Sequence, residues 1–120
     1  MKDEKFILYV QTSDVPERQY SPLVLAQTAE NMELNPKVYY LGQALKMVLP
    51  GEAEKVKLGA FPSVGEMMDK TLEMGIEILV CEASKQMLGW EKVDLRPGVK
   101  IVGAATLNDL ALDAAATMWF

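Results

Sequence analysis

Histidine is absent from this chain of 120 residues, and cysteine occurs once, at position 81. Without an imidazole, neither a Cys–His pair nor a Ser–His–Asp triad can be assembled within one chain type. Zinc sites with His ligands fall away for the same reason, and a single thiol cannot build a thiolate cluster. Nor can it close an intrachain disulfide, so nothing points to an oxidised, secreted framework. The phosphate-binding patterns GxxxxGK[ST] and GxGxxG are missing. No apolar run approaches the roughly 20 residues of a membrane span. The opening "MKDEKFILYV" mixes both charges and then offers a run of only five apolar residues, too few for a signal-peptide core. Positive charge is also short. Lys and Arg total 12 against 17 Asp and Glu, for a net charge of −5, and the basic residues are scattered. That balance argues against a nucleic-acid partner or an anionic membrane surface. Carboxylate chemistry, one thiol, or no catalysis remains. A cytoplasmic protein with no metal and no cofactor is expected.

What is present is ordinary for a globular domain: 50% hydrophobic and 24% charged residues, with no repeat, low-complexity tract or polar linker. The chain is long enough for one domain, 1–120, with a core that needs no staples. Short β-rich runs alternate with helix-period segments. "FILYVQ" (6–11) reads as a buried strand, followed by the polar loop "TSDVPERQY". Ser21-Pro22 is a good helix start, with Leu25, Ala29 and Met32 on one face and Asn35-Pro36 as the stop. "KVYYL" (37–41) is the second strand, Gly42 follows, and "QALKMVL" (43–49) suggests a short helix ended by Pro50-Gly51.

Ser63 and Glu66 form a capping box, behind which Val64, Met67, Met68, Thr71 and Leu72 make one stripe ending at Gly75. The third strand is "EILVC" (77–81), with helix-like "EASKQML" after it. Pro97-Gly98 turns the chain into "VKIVG" (99–103). Thr106 and Asp109 suggest a weaker capping box for a last helix with Leu107, Leu110, Ala111 and Ala114 on one face. "TMWF" is a final strand, whose Trp119 and Phe120 should pack on the sheet or at a subunit contact.

Strands separated by helices imply right-handed crossovers and a mainly parallel sheet with helices on both faces. Such sheets bind ligands outside the C-terminal ends of their strands. Gln11, Thr12 and Ser13, then Gly42, Cys81 and Gly103, are expected there. A nucleotide- or flavin-binding domain of flavodoxin type would share this layout, with "TSD" as its polar loop but without a convincing phosphate loop.

The thiol is pulled two ways. A cysteine at a helix start feels the partial positive charge of unpaired N–H groups, and Lys85 lies one turn on. Glu82, next in sequence, favours the protonated form. Free cysteine is also among the most buried residue types, so a packing role stays open. The other chemistry-bearing residues read as structural. The 8 methionines fall mostly on helix stripes, and the acidic pairs Asp3/Glu4 and Glu52/Glu54 read as solvated surface.

Four passages, "FILYVQTSDVPE", "VYYLGQAL", "LEMGIEILVCEASKQMLGW" and "DLRPGVKIVGAATLNDLAL", resemble the DsrE/DsrF/TusD-like family of small sulfur-relay proteins. The likeness covers essentially the whole chain, with "EMGIEILVC…LGW" and "DLRPGVKIVG" its most specific part. It implies an α/β fold, a three-layer α/β/α sandwich around a five-stranded, mainly parallel sheet. It also implies a homo-oligomer, trimer or hexamer. Family members with a cysteine at this strand end accept sulfane sulfur on it and pass it on, and Cys81 matches that position. Sulfur-donor and sulfur-acceptor proteins would then be the partners. Glu82, Ser84 and Lys85, with Thr12, Ser13 and Gly42, would bind cargo or stabilise the thiolate. The alternative is a non-catalytic oligomeric assembly or binding protein of the same fold, in which Cys81 is structural.

Overall fold

A computed structural model describes residues 5–120; the expectation for Asp3/Glu4 lies outside them. Five strands make one sheet in the order β4-β3-β2-β1-β5, and all four pairings are parallel. The strands are β1 (Phe6–Gln11), β2 (Asn35–Tyr40), β3 (Glu77–Cys81), β4 (Lys100–Val102) and β5 (Ala116–Trp119). Four helices are interleaved: α1 (Tyr20–Asn31), α2 (Val64–Glu73), α3 (Glu82–Met87) and α4 (Ala104–Asp113).

Handedness assigns the layers. From β1 to β4 the chain steps steadily across the sheet, so right-handed crossovers keep α1 and α2 on one face. The last crossover runs back past three strands to β5, so α4 must cover the opposite face. The buried side chains divide accordingly. Tyr9, Val38, Tyr40, Ile78 and Val80 face α1 and α2, whereas Leu8, Val10, Tyr39, Leu79 and Cys81 face α4. The first layer is thick and the second thin, since no residue of α4 is fully buried. Leu107, Leu110, Ala111 and Ala114 nevertheless form its sheet-facing stripe, as their spacing predicts.

Several local expectations shift. Helix α1 begins at Tyr20 rather than after Ser21, because the Gln19 amide donates to the carbonyls of Ser13 and Val15 and sets the entry. Its buried stripe is Tyr20, Leu23, Ala26 and Ala29, leaving Leu25 and Met32 in solvent. The Tyr20 hydroxyl fixes this rotation by donating to the Pro62 carbonyl at 2.7 Å and accepting the Leu58 N–H at 3.2 Å.

Asn35-Pro36 opens β2 instead of stopping the helix, which has already turned at Glu33 with φ 62°. Pro36 is tolerated because β3 begins one residue later in the register, so its missing N–H disrupts no ladder bond. "QALKMVL" is part of a 3-10 helix, Gly42–Val48, that buries Ala44, Leu45, Met47 and Val48. Thr106 and Asp109 are inside α4, whose cap is Gly103, because the crossover from Val102 is a single residue. Ser63 caps α2 as expected, accepting the Glu66 N–H at 3.1 Å.

Glu54 is exposed, as expected, and is paired as well. Buried Arg96 holds it with two hydrogen bonds of 2.9 and 2.6 Å, and also reaches Asp69 at 2.9 Å and the Gly65 carbonyl at 3.0 Å. A Cβ at Gly65 would meet the Glu54 carboxylate, so a side chain there would have to displace it from Arg96. This clamp fastens the long segment before β4 onto α2. Glu52 meets the simpler expectation, pairing with Lys55 at the surface.

On the α4 face, Glu77 bridges Lys37 at 2.8 Å and Lys100 at 2.7 Å across three strands. Hydrogen bonds from Lys100 and then Lys37 hold its carboxyl at about 2, against an ordinary 4.5. A depressed carboxyl stabilises the fold fully above its unfolded value and loses that contribution as pH falls toward the folded one. Glu77→Gln should therefore lower stability by about 1 kcal/mol at neutral pH, the upper end for partly exposed pairs. Urea unfolding at successive pH values should show that difference shrinking between pH 4.5 and about 2.

Candidate functional site

Cys81 is the last residue of β3 and the cap of α3. The run "EILV" before it is strand because both faces are covered, and the polar "EASKQM" after it turns helical at once. The sulfur consequently lies at the C-terminal edge of the sheet, on the α4 side, where the residues of cluster Leu79, Tyr39 and Val102 surround it. Only 2% of Cys81 is exposed. The thiol is less reachable than a strand-end position implies.

Its surroundings are polar all the same. Burial pushes the thiol up, but the polar groups of Ser84, Tyr39 and the Ala83 N–H pull it down by more. The thiol is held below its ordinary value, in the direction that favours thiolate. Ser84 is itself oriented. The Gly42 N–H donates to its oxygen at 2.8 Å, which leaves the hydroxyl proton for the sulfur. Gly42 takes a φ of 62° to aim that N–H, a conformation that favours glycine.

The expected site residues separate into two groups. Cys81, Ser84 and Gly42 converge. Lys85 does not join them: it is buried, and its ammonium donates to the Glu91 carbonyl at 3.0 Å. It lines a cavity of about 280 Å³ with Glu82, Gln86, Glu91 and Ile101. Ile101 pairs with Val80 on the α1/α2 face, so this cavity lies across α3 from the sulfur. Glu82 is exposed, and is not among the groups that shift the thiol.

Thr12 and Ser13 belong to another neighbourhood. The Thr12 hydroxyl donates to the Phe120 carbonyl at 2.6 Å, and the Ser13 N–H to the Gln11 side chain at 2.9 Å. Both follow β1, two strands and about 10 Å from β3. Gly103 does reach the site, as its carbonyl lies 3.4 Å from the Tyr39 hydroxyl.

Tyr39 is the residue that sequence reasoning misses. In "VYY" one tyrosine faces each side of the sheet, and only the register tells which. Tyr39 pairs with Leu79, two residues before Cys81 on the same face. Among the described residues no group of three or more His, Cys, Asp or Glu could hold a metal ion. No helix there is long and apolar enough to cross a membrane.

Comparison with known proteins agrees with this fold. The profile of the DsrE/DsrF-like family matches residues 4–120. The chain is 32% identical over 118 residues to the uncharacterized protein MJ0760 of Methanocaldococcus jannaschii. That alignment covers 98% of this chain but 43% of the relative, so the chain spans less than half of that protein's length. The crystal structure of the ychN protein from E. coli superposes with a TM-score of 0.78 at 18% identity, covering 97% of this chain and 99% of that one. Protein MTH1491 from Methanobacterium thermoautotrophicum gives 0.71 at 13% identity, covering 98% and 100%. At such identities these two likenesses concern the fold.

The cradle yields a direct test. Ser84→Ala removes a donor to the sulfur and strands the Gly42 N–H. A hydrogen bond to an ionised group is worth about 1.5–3 kcal/mol, and about 1.4 kcal/mol is tenfold. Alkylation of Cys81 at neutral pH should slow on the order of tenfold in the variant, and its rate–pH profile should move to higher pH.

Proposed function

The chain belongs to the DsrE/DsrF-like family, which is associated with sulfur relay, and we propose that it carries sulfane sulfur as a persulfide on Cys81. The observation that carries this reading is the place of the sulfur, at the end of β3 and the start of α3, with Ser84 of that helix held by the Gly42 N–H.

The reaction is exchange at sulfur in two balanced steps. The Cys81 thiolate attacks the outer sulfur of a donor persulfide, forming a new S–S bond. The donor's S–S bond breaks, and its thiolate leaves with the electron pair. Cys81 then holds –S–SH. An acceptor thiolate attacks that outer sulfur, takes it as its own persulfide, and returns Cys81 to thiolate. No net oxidation occurs, so one thiol suffices. Ser84, Tyr39 and the Ala83–Ser84 backbone stabilise the thiolate as it leaves in the second step.

Donor and acceptor proteins are the partners in this reading, and the cytoplasm, where thiols stay reduced, is its compartment. A homo-oligomer, trimer or hexamer, goes with it. Edge strand β5 leaves Trp119 53% exposed, and α4 leaves Leu112 84% exposed. Apolar groups so placed suit subunit contacts.

One observation favours a second reading. Cys81 is nearly enclosed, as a packing cysteine in an oligomeric binding protein would be. Intact-mass measurement after treatment with inorganic polysulfide separates the two. Carriage predicts a gain of one sulfur atom that a reductant removes and that Cys81→Ser lacks. An unchanged mass, with the native thiol refractory to small alkylating reagents, gives the protein to the packing reading.

A further inference from the structure

The crevice between α3 and edge strand β4 takes no part in the sulfur chemistry. Its cavity of about 280 Å³ is lined by Glu82, Lys85, Gln86, Glu91 and Ile101. Topology opens it. Strand β3 runs into α3, which ends at Leu88 packed on the α1/α2 side, whereas β4 runs into α4 on the opposite side. Adjacent parallel strands whose helices leave to opposite faces part at their C-terminal ends. Open α/β sheets bind ligands in the crevice so formed.

Lys85 gives this cavity its chemistry. Only 8% of the residue is exposed. An ammonium carries three donors, and one of them goes to the Glu91 carbonyl at 3.0 Å. It forms no ion pair among the described residues, although Glu82 stands one turn before it on the same helix. Two N–H donors and an uncompensated positive charge are left for whatever enters. A buried charge is costly until it is paired. The lysine is also held in place, since the Trp90 N–H donates to its backbone carbonyl at 2.9 Å. The chain after α3 thus folds back onto both ends of this residue.

The rest of the lining differs in character. Glu82 and Glu91 are exposed and bring negative charge to the mouth, and Ile101 adds a half-exposed apolar wall. A simple anion would pair with Lys85 but meet two carboxylates. A simple cation would satisfy the carboxylates and leave Lys85 unpaired. A carboxylate and an ammonium on one carbon, with a short apolar tail, match all three. The volume sits at the small end of ligand pockets, about 300–1,000 Å³, so the molecule must be small.

We propose that this crevice binds a small aliphatic amino acid. Its carboxylate pairs with the Lys85 ammonium, its ammonium with Glu82 and Glu91, and its side chain lies on Ile101. The site goes beyond sulfur carriage and does not depend on it, because Cys81 lies on the other side of α3.

L-valine is the probe, added at neutral pH to about tenfold above a millimolar Kd while backbone amide shifts are followed by NMR. The amides of Glu82, Lys85, Gln86, Glu91 and Ile101 should move and saturate. Isovalerate is valine without its ammonium, and isobutylamine is valine without its carboxylate. Each should bind about tenfold more weakly, since each leaves a charge unpaired. Lys85→Met keeps the buried stem and should weaken L-valine by about tenfold. Should that variant not fold, Glu82→Gln at its exposed position serves instead. It should weaken L-valine about threefold while leaving isovalerate no weaker. Absence of saturable shifts at these residues overturns the proposal. So does isovalerate or isobutylamine binding as tightly as L-valine, or L-valine binding unchanged in the variant that folds. Mass gain on Cys81 is read separately, so the two ideas fail independently.

Discussion

A thiol buried at the end of β3, where the chain turns at once into α3, is the constraint on which the rest of this structure depends. An enclosed thiol without polar neighbours would be pushed toward its neutral form, because a charge removed from water is costly unless it is hydrogen-bonded. Here Ser84, Tyr39 and two backbone N–H groups reverse that tendency. Each donor depends on a different part of the fold. Tyr39 depends on the β2–β3 register, the backbone groups on the immediate turn into α3, and Ser84 on the glycine that bends the chain after β2. The site is a consequence of the topology rather than of a local motif.

The two faces of the sheet divide the work. The thick face, with α1, α2 and the Arg96 clamp, supplies most of the buried apolar surface and so most of the stability. The thin face, with α4 alone, holds the sulfur and the Lys37–Glu77–Lys100 row. The return of the chain from β4 to β5 puts α4 there, and it puts the Gly103 carbonyl within reach of Tyr39.

The layered architecture was legible because its signals are strong: apolar runs of strand length, a true capping residue at Ser63, and Gly or Pro at the turns. Boundaries were less so. Helix α1 rotated about its axis because the Tyr20 hydroxyl makes long-range bonds, and the Gln19 amide local ones, that no periodicity encodes. The pairing of exposed Glu54 escapes the sequence because Arg96 lies 42 residues away. At the candidate site, Cys81 and Gly42 could be found from strand ends and Ser84 from the helix that follows Cys81. Lys85 was misplaced because helical spacing alone does not say on which side of a six-residue helix an ammonium falls. Tyr39 was invisible because facing depends on register.

The decisive measurement compares the ionisation of Cys81 in the folded and unfolded chain. Ultraviolet thiolate absorbance, taken as the difference between wild type and Cys81→Ser, is titrated in buffer and in strong denaturant. Convergent donors require the folded thiol to ionise at lower pH than the unfolded one. A folded thiol that ionises at the same pH, or higher, would mean that burial wins and that this sulfur is packing.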